Sequence, residues 1–132
     1  MSQKLSVVVV DDSRGVLVQL ERMLEEIESV EVVGTACDGA GAIRSVAELR
    51  PDLVLMDIVM PGMDGLAALR VLHAQHPDLR VVMVSSVGGS GSRAEEAFRL
   101  GAVQVISKPL DKQVLEALFE REASRTSGEE AS

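Results

Sequence analysis

The sequence has no tryptophan and no tyrosine, only two phenylalanines, and a single cysteine, Cys37. One cysteine excludes an internal disulfide and any metal cage built from several thiolates. Its place at the close of an apolar segment predicts a small buried thiol rather than a redox centre. Without tryptophan or tyrosine there is no such ring to stack on a flavin, which argues against an electron carrier. Positive charge is scarce too: 13 Lys and Arg face 21 Asp and Glu, a formal net charge of −8. That balance argues against direct contact with nucleic acid or an anionic membrane, since both call for a concentrated positive field. No apolar run approaches the roughly 20 residues that cross a bilayer. The opening Met1-Ser2-Gln3-Lys4 begins neither the long apolar stretch nor the cleavage site of a signal peptide. A cytoplasmic protein is the expectation.

What is present is a chain of 132 residues, 46% hydrophobic, which excludes general disorder and suits one domain with a real core. Residues 1–124 are expected to form that domain, and the unpatterned polar stretch 125–132 a flexible tail. Apolar runs recur at 5–10, 30–37, 53–56, 80–85 and 103–107. Three of them, the first, third and fourth, are apolar enough to be buried on both faces, whereas 30–37 is more polar and suits an edge.

Helical patterns fill the gaps at 14–27, 40–49, 65–75, 93–100 and 111–122. Val16, Leu17, Leu20, Leu24 and Ile27 share one face of the first helix, with Ser13 placed to cap it. Inward positions are Ile43, Val46, Ala47 and Leu49 in the second helix and Leu66, Leu69, Val71 and Leu72 in the third. The fourth has few anchors, chiefly Phe98 and Leu100, and the last presents Val114, Leu115, Leu118 and Phe119. His73 and His76 suit surface positions near a helix end. Residues 86–92 are glycine and serine with one valine, the composition of a flexible loop. Alternating strands and helices predict an α/β fold, a parallel sheet covered on both faces through right-handed crossovers.

In such a sheet the strands' carboxyl ends lie along one edge, where ligand chemistry is found. Four of the five ends carry polar groups: Asp11-Asp12, Asp57, Ser85 and Lys108. Singly, each has an ordinary explanation, as a helix cap, a loop residue, a satisfied strand end or a solvated charge. Together they favour chemistry. Crowded carboxylates invite a hard divalent cation such as Mg²⁺, and a lysine opposite them is a point charge for a phosphate.

Asp11-Asp12, Asp57 within Met56-Asp57-Ile58-Val59-Met60-Pro61-Gly62-Met63-Asp64-Gly65, Ser85 and Lys108-Pro109 resemble the receiver domain of two-component response regulators, over about residues 5–122. The resemblance implies a doubly wound, flavodoxin-like sheet in the order 2-1-3-4-5. It implies that Asp57 accepts a phosphoryl group from a sensor histidine kinase or phosphotransfer protein, with Ser85 and Lys108 contacting that group. Mg²⁺ would be held by Asp12, Asp57 and the main-chain carbonyl of Val59, with Asp11 orienting its water. Output would pass through the face of the fourth helix, fifth strand and fifth helix, to a target protein or a second copy, and the Lys108-Pro109 bond would be cis. Such a domain modifies itself and is not an enzyme with a separate substrate.

Val84-Ser85-Ser86, the Gly-Ser loop and the Met60 to Gly65 segment are similar to the regulatory domain of chemotaxis methylesterases. The polar tail suits a stand-alone receiver and the N-terminal domain of a longer regulator equally. Three positions depart from the family: Val105 stands where an aromatic relay is usual, and Val59 and Val87 are apolar where side chains tune phosphate loss. The competing readings are a phosphate-independent interaction module and a haloacid-dehalogenase-like phosphatase. The phosphatase needs Asp-x-Asp, whereas Asp11 and Asp12 are adjacent.

Overall fold

Val7, Val8, Val9 and Val10 follow one another and are all buried. Successive side chains of a strand point to opposite faces, so such a run requires cover on both. The structure, a computed structural model describing residues 4–86 and 92–131, provides that cover. Its elements in chain order are β1 (Leu5–Val10), α1 (Arg14–Glu25), β2 (Val30–Ala36), α2 (Gly39–Leu49) and β3 (Leu53–Asp57). There follow α3 (Gly65–Gln75), β4 (Arg80–Ser85), α4 (Ser92–Leu100), β5 (Gln104–Ser107) and α5 (Lys112–Ala131). The five strands are all parallel, in the order β2-β1-β3-β4-β5. This is the doubly wound sheet expected from the sequence.

Val7 and Val9 join one core cluster with Leu17, Leu20 and Leu24 of α1 and Leu115, Leu118 and Phe119 of α5. Val8 and Val10 join the other, with Ala42 and Val46 of α2, Leu66, Leu69 and Leu72 of α3 and Ala97 of α4. Register aligns the strand ends: Val10 lies beside Met56, Asp57 beside Val84 and Ser85 beside Ser107. The chemistry-bearing residues therefore follow the strands along one sheet edge.

Several details differ from expectation. Cys37 is exposed, because β2 ends at Ala36 and the chain turns outward into the α2 cap, Asp38. In α2 Ala42 and Val46 are buried and Ile43 packs against the same cluster, while Ala47 is exposed and Leu49 is 45% exposed. Phe98 is 53% exposed, and the buried residue of α4 is its neighbour Ala97, a rotation of about 100° around the helix. A small residue there brings α4 close to the sheet. α1 stops at Glu25, its last turn tightened by the Glu26 and Ile27 N–H groups donating to Met23 and Leu24 carbonyls at 3.2 and 3.0 Å. The last helix continues to Ala131, through the stretch expected as a tail. That stretch has no proline, and its Ala, Glu and Arg residues are good helix formers. Most of the expected Gly-Ser loop, residues 87–91 with Val87, lies outside the described residues.

The sheet's other edge is closed by side chains. Ser6 and Asp52 exchange bonds, the Ser6 N–H donating to Asp52 Oδ2 at 2.8 Å and the Asp52 N–H to Ser6 Oγ at 2.9 Å. Glu122 of α5, fully buried, accepts from Gln104 Nε2 at 2.7 Å, and Arg80 Nη1 sits 3.5 Å from its Oε1 and donates to its main-chain carbonyl at 2.9 Å. These contacts pin α5 to the starts of β4 and β5. Arg80→Ala takes a cation from beside a buried carboxylate and is expected to cost roughly 3 kcal/mol in urea unfolding. A loss under about 0.5 kcal/mol, the scale of an ordinary surface change, would show that α5 does not depend on it.

Candidate functional site

Each strand end presents its group through a local backbone arrangement. The Asp11 N–H donates to the Ala36 carbonyl at 3.1 Å, which carries β1 pairing one residue beyond the strand. Its buried side chain accepts the Ser13 N–H on Oδ1 at 2.9 Å, and Ser13 Oγ in turn accepts the Val16 N–H at 3.3 Å to cap α1. Asp12, between them, is exposed. Asp57 closes β3 and is 5% exposed, with Oδ1 accepting the Val59 N–H at 3.3 Å. Beyond it, Asp64 caps α3 by accepting the Ala67 N–H at 2.9 Å, and its other oxygen pairs with Arg93 of α4 at 3.3 Å.

Lys108 follows β5, anchored by its N–H on the Ser85 carbonyl at 2.8 Å, and its bond to Pro109 is cis. Its ammonium reaches across the sheet edge to Asp57 Oδ2 at 3.0 Å and Asp11 Oδ2 at 3.3 Å. Burial works against the charged form, but the hydrogen bond and charge of Asp57, followed by those of Asp11, outweigh it and raise the Lys108 pKa above the usual 10.5. Lys108 is thus a fixed positive charge at neutral pH.

Asp11, Asp12 and Asp57 each offer a carboxylate oxygen, and these oxygens lie within 4.8 Å of one another. Three carboxylates against one ammonium leave two negative charges, the charge of one divalent cation. An all-oxygen donor set of this kind fits a hard ion such as Mg²⁺.

Of the residues singled out in the sequence, Asp11, Asp12, Asp57 and Lys108 come together. Ser85 stands at the neighbouring strand end with its hydroxyl donating to the Ser86 carbonyl at 3.1 Å, while the Val59 side chain is 57% exposed. Val105 is half-buried against the core cluster on the α2, α3 and α4 side. The Asp64–Arg93 link was not read from the sequence, because nothing in the pattern around either residue pairs two segments so far apart. Beside Lys108 a mainly apolar cleft of about 410 Å³ opens between α1 and the β5–α5 loop, lined among others by Val16, Leu20, Met23, Pro109 and Leu110.

The raised lysine pKa has a direction that can be measured. Its contribution to stability is complete below the ordinary value of 10.5 and is lost as pH climbs through the higher folded value. Asp57→Asn removes the largest raising cause, so the Lys108 midpoint, followed by NMR of its ammonium, is expected to move down. An unchanged midpoint would mean that Asp57 does not hold the ammonium.

Comparison with known proteins gives one consistent answer. Residues 7–120 match the response regulator receiver domain. A protein-glutamate methylesterase/protein-glutamine glutaminase of Myxococcus xanthus is 46% identical over 80% of this chain, and one of Caldanaerobacter subterraneus is 44% identical over 83%. This chain spans 30% of the length of each. Among solved structures, the response regulator domain of Thermotoga maritima CheB superposes with a TM-score of 0.81 at 36% identity, covering 90% of this chain and 93% of that one. CheY in the CheX-CheY-BeF3-Mg complex of Borrelia burgdorferi gives 0.79 at 30% identity, covering 89% and 90%. With the family's domain matched over nearly the whole sheet and its helices, this chain belongs to the response regulator receiver domains.

Proposed function

We propose that this receiver takes a phosphoryl group onto Asp57 from a phosphohistidine of a sensor histidine kinase or phosphotransfer protein. The reaction depends on Mg²⁺, and it changes partner binding at the face of α4, β5 and α5. The observation that carries this reading is the Lys108 ammonium, 3.0 Å from Asp57 and 3.3 Å from Asp11, within a triad of carboxylates completed by Asp12. Phosphoryl transfer asks for alignment and charge neutralisation more than for covalent help, and these groups supply both.

A carboxylate oxygen of Asp57 attacks phosphorus while the imidazole nitrogen leaves with the electrons of the P–N bond. Lys108 shifts from the carboxylate to an oxygen of the arriving group, and Ser85 turns its hydroxyl from the Ser86 carbonyl to another. Asp12, Asp57 and the Val59 carbonyl would hold Mg²⁺, with Asp11 orienting its water, and the ion would supply positive charge for the transferring oxygens. The apolar cleft beside Lys108 suits a helix that carries the phosphohistidine.

Ser85 closes β4, the strand before α4 in the chain, and the Asp64–Arg93 pair ties α4 to the loop that follows Asp57. These links carry the change outward in place of an aromatic at Val105. Exposed Phe98 makes α4 suitable for a partner or for a second copy of the chain. The relatives favour control of a methylesterase in chemotaxis as the output. Residues 1–124 form the switching unit. The receiver family favours work in the cytoplasm.

Incubated with acetyl phosphate and Mg²⁺, the wild type is expected to acquire one phosphoryl group. Asp57→Asn or chelation of the metal abolishes labelling, and Lys108→Ala slows it by about 10²–10³. Labelling that persists in Asp57→Asn would place the acceptor elsewhere and overturn the role of Asp57, and a wild type that takes no label would leave the phosphate-independent module as the better reading. Because Val59 can neither orient nor activate water, the phosphoryl group is expected to persist. Val59→Asn should release phosphate several-fold faster, and equal rates would remove that role.

A further inference from the structure

We infer that Gly65 is a positioning residue for the Asp57 site: its bare α-carbon lets α3 begin against the main chain of Asp57 and thereby fixes the oxygens offered to a divalent cation. This rests on the function proposed above and deepens it. Gly65 is buried at the first position of α3. A Cβ placed on it would collide with the Asp57 main-chain oxygen and lie 2.8 Å from both Ile58 Cα and Met83 Cε. Two of those three neighbours are backbone and cannot swing aside as the tip of a flexible side chain can. The Gly65 N–H donates to the Ile58 carbonyl at 2.7 Å, closing the loop 58–65 on itself. Val59, whose N–H binds the Asp57 carboxylate, lies inside that closed loop.

The loop is held from its other side as well. A Cβ on Gly39, at the head of α2, would lie 2.8 Å from the Met63 main-chain oxygen and 3.0 Å from its Cγ. Loop 58–65 therefore sits between two glycines, each at the start of a helix, and a side chain at either one pushes it. Gly62 differs, with φ of 73° and nothing within 4 Å of a built Cβ, so its glycine serves the turn and not a close approach. The expected casualty of a push is metal binding more than folding. Ile58 and Met60 of the loop join the core cluster on the α2, α3 and α4 side, so a push costs some stability too, but Mg²⁺ accepts oxygens only in near-ideal geometry at about 2.1 Å.

The test is calorimetric titration of the full chain with Mg²⁺ alone, without a phosphodonor, alongside a thermal melt of each protein. Gly65→Ala is expected to weaken Mg²⁺ binding at least tenfold while still melting cooperatively, and Gly39→Ala several-fold. Gly101→Ala is the stability control. It lies before β5 at the opposite sheet edge, with φ of 117° and the His73 ring 2.7 Å from a built Cβ, so it should melt lower and bind as the wild type does. A folded Gly65→Ala that binds within twofold of wild type overturns the inference, as does an equal loss in Gly101→Ala. Should Gly65→Ala fail to fold, Gly39→Ala decides: several-fold weaker binding supports the inference and wild-type binding overturns it. A wild type that binds no Mg²⁺ removes the functional reading and the inference together, whereas a binding wild type with an indifferent glycine removes the inference alone.

Discussion

Two buried carboxylates, Asp11 and Asp57, end adjacent parallel strands, and one ammonium, Lys108, lies between them. A parallel sheet sends all its strand ends to one edge, so acidic residues placed there are forced together whatever their separation in sequence. Left alone they would repel in a setting poor in water. Lys108, 97 residues from Asp11 and 51 from Asp57, relieves part of that conflict through contacts that the strand order β2-β1-β3-β4-β5 makes available. The residual negative charge suits the edge to a divalent cation. Stability of this edge thus depends on that ammonium.

The fold was legible because burial on two faces leaves an unmistakable trace. Four consecutive valines in β1 and the uniformly apolar β3 and β4 have no use in a half-solvated sheet, and helical patterns between them leave parallel pairing as the consistent arrangement. Strand order was less accessible, since alternation alone permits several and the order came from the resemblance. Helix faces were read within one residue. That margin mattered in α4, where Ala97 and not Phe98 faces the sheet, because large apolar residues outweigh small ones in any reading of pattern. The extent of α5 was missed for a related reason: a polar stretch without an apolar stripe carries no periodic signal, and such a helix reads as a coil.

At the site, the residue types were legible and their contacts only partly so. Asp11, Asp12, Asp57 and Lys108 meet as their strand positions suggest. Glu122 could not have been identified, because its buried carboxylate depends on Arg80 and Gln104, distant in sequence and unexceptional in pattern. Ser85 occupies the expected strand end, yet its hydroxyl turns to Ser86, a rotamer choice that no sequence encodes by itself. Gly65 illustrates the remaining gap: a glycine after Asp64 reads as part of a turn, and only coordinates reveal that the missing side chain makes room for another residue's backbone.

The two edges of the sheet are built on opposite terms. One is stapled by Ser6 with Asp52 and by Arg80 and Gln104 with Glu122, every group satisfied by a neighbour of fixed shape. The other gathers like charges that no side-chain arrangement fully neutralises, a local frustration confined to one rim of an otherwise consistent structure. Amide exchange should therefore be polarised along the strands, slow toward their starts and faster toward their ends. A molecule divided in this way can change its chemistry at one edge while the opposite edge keeps it folded.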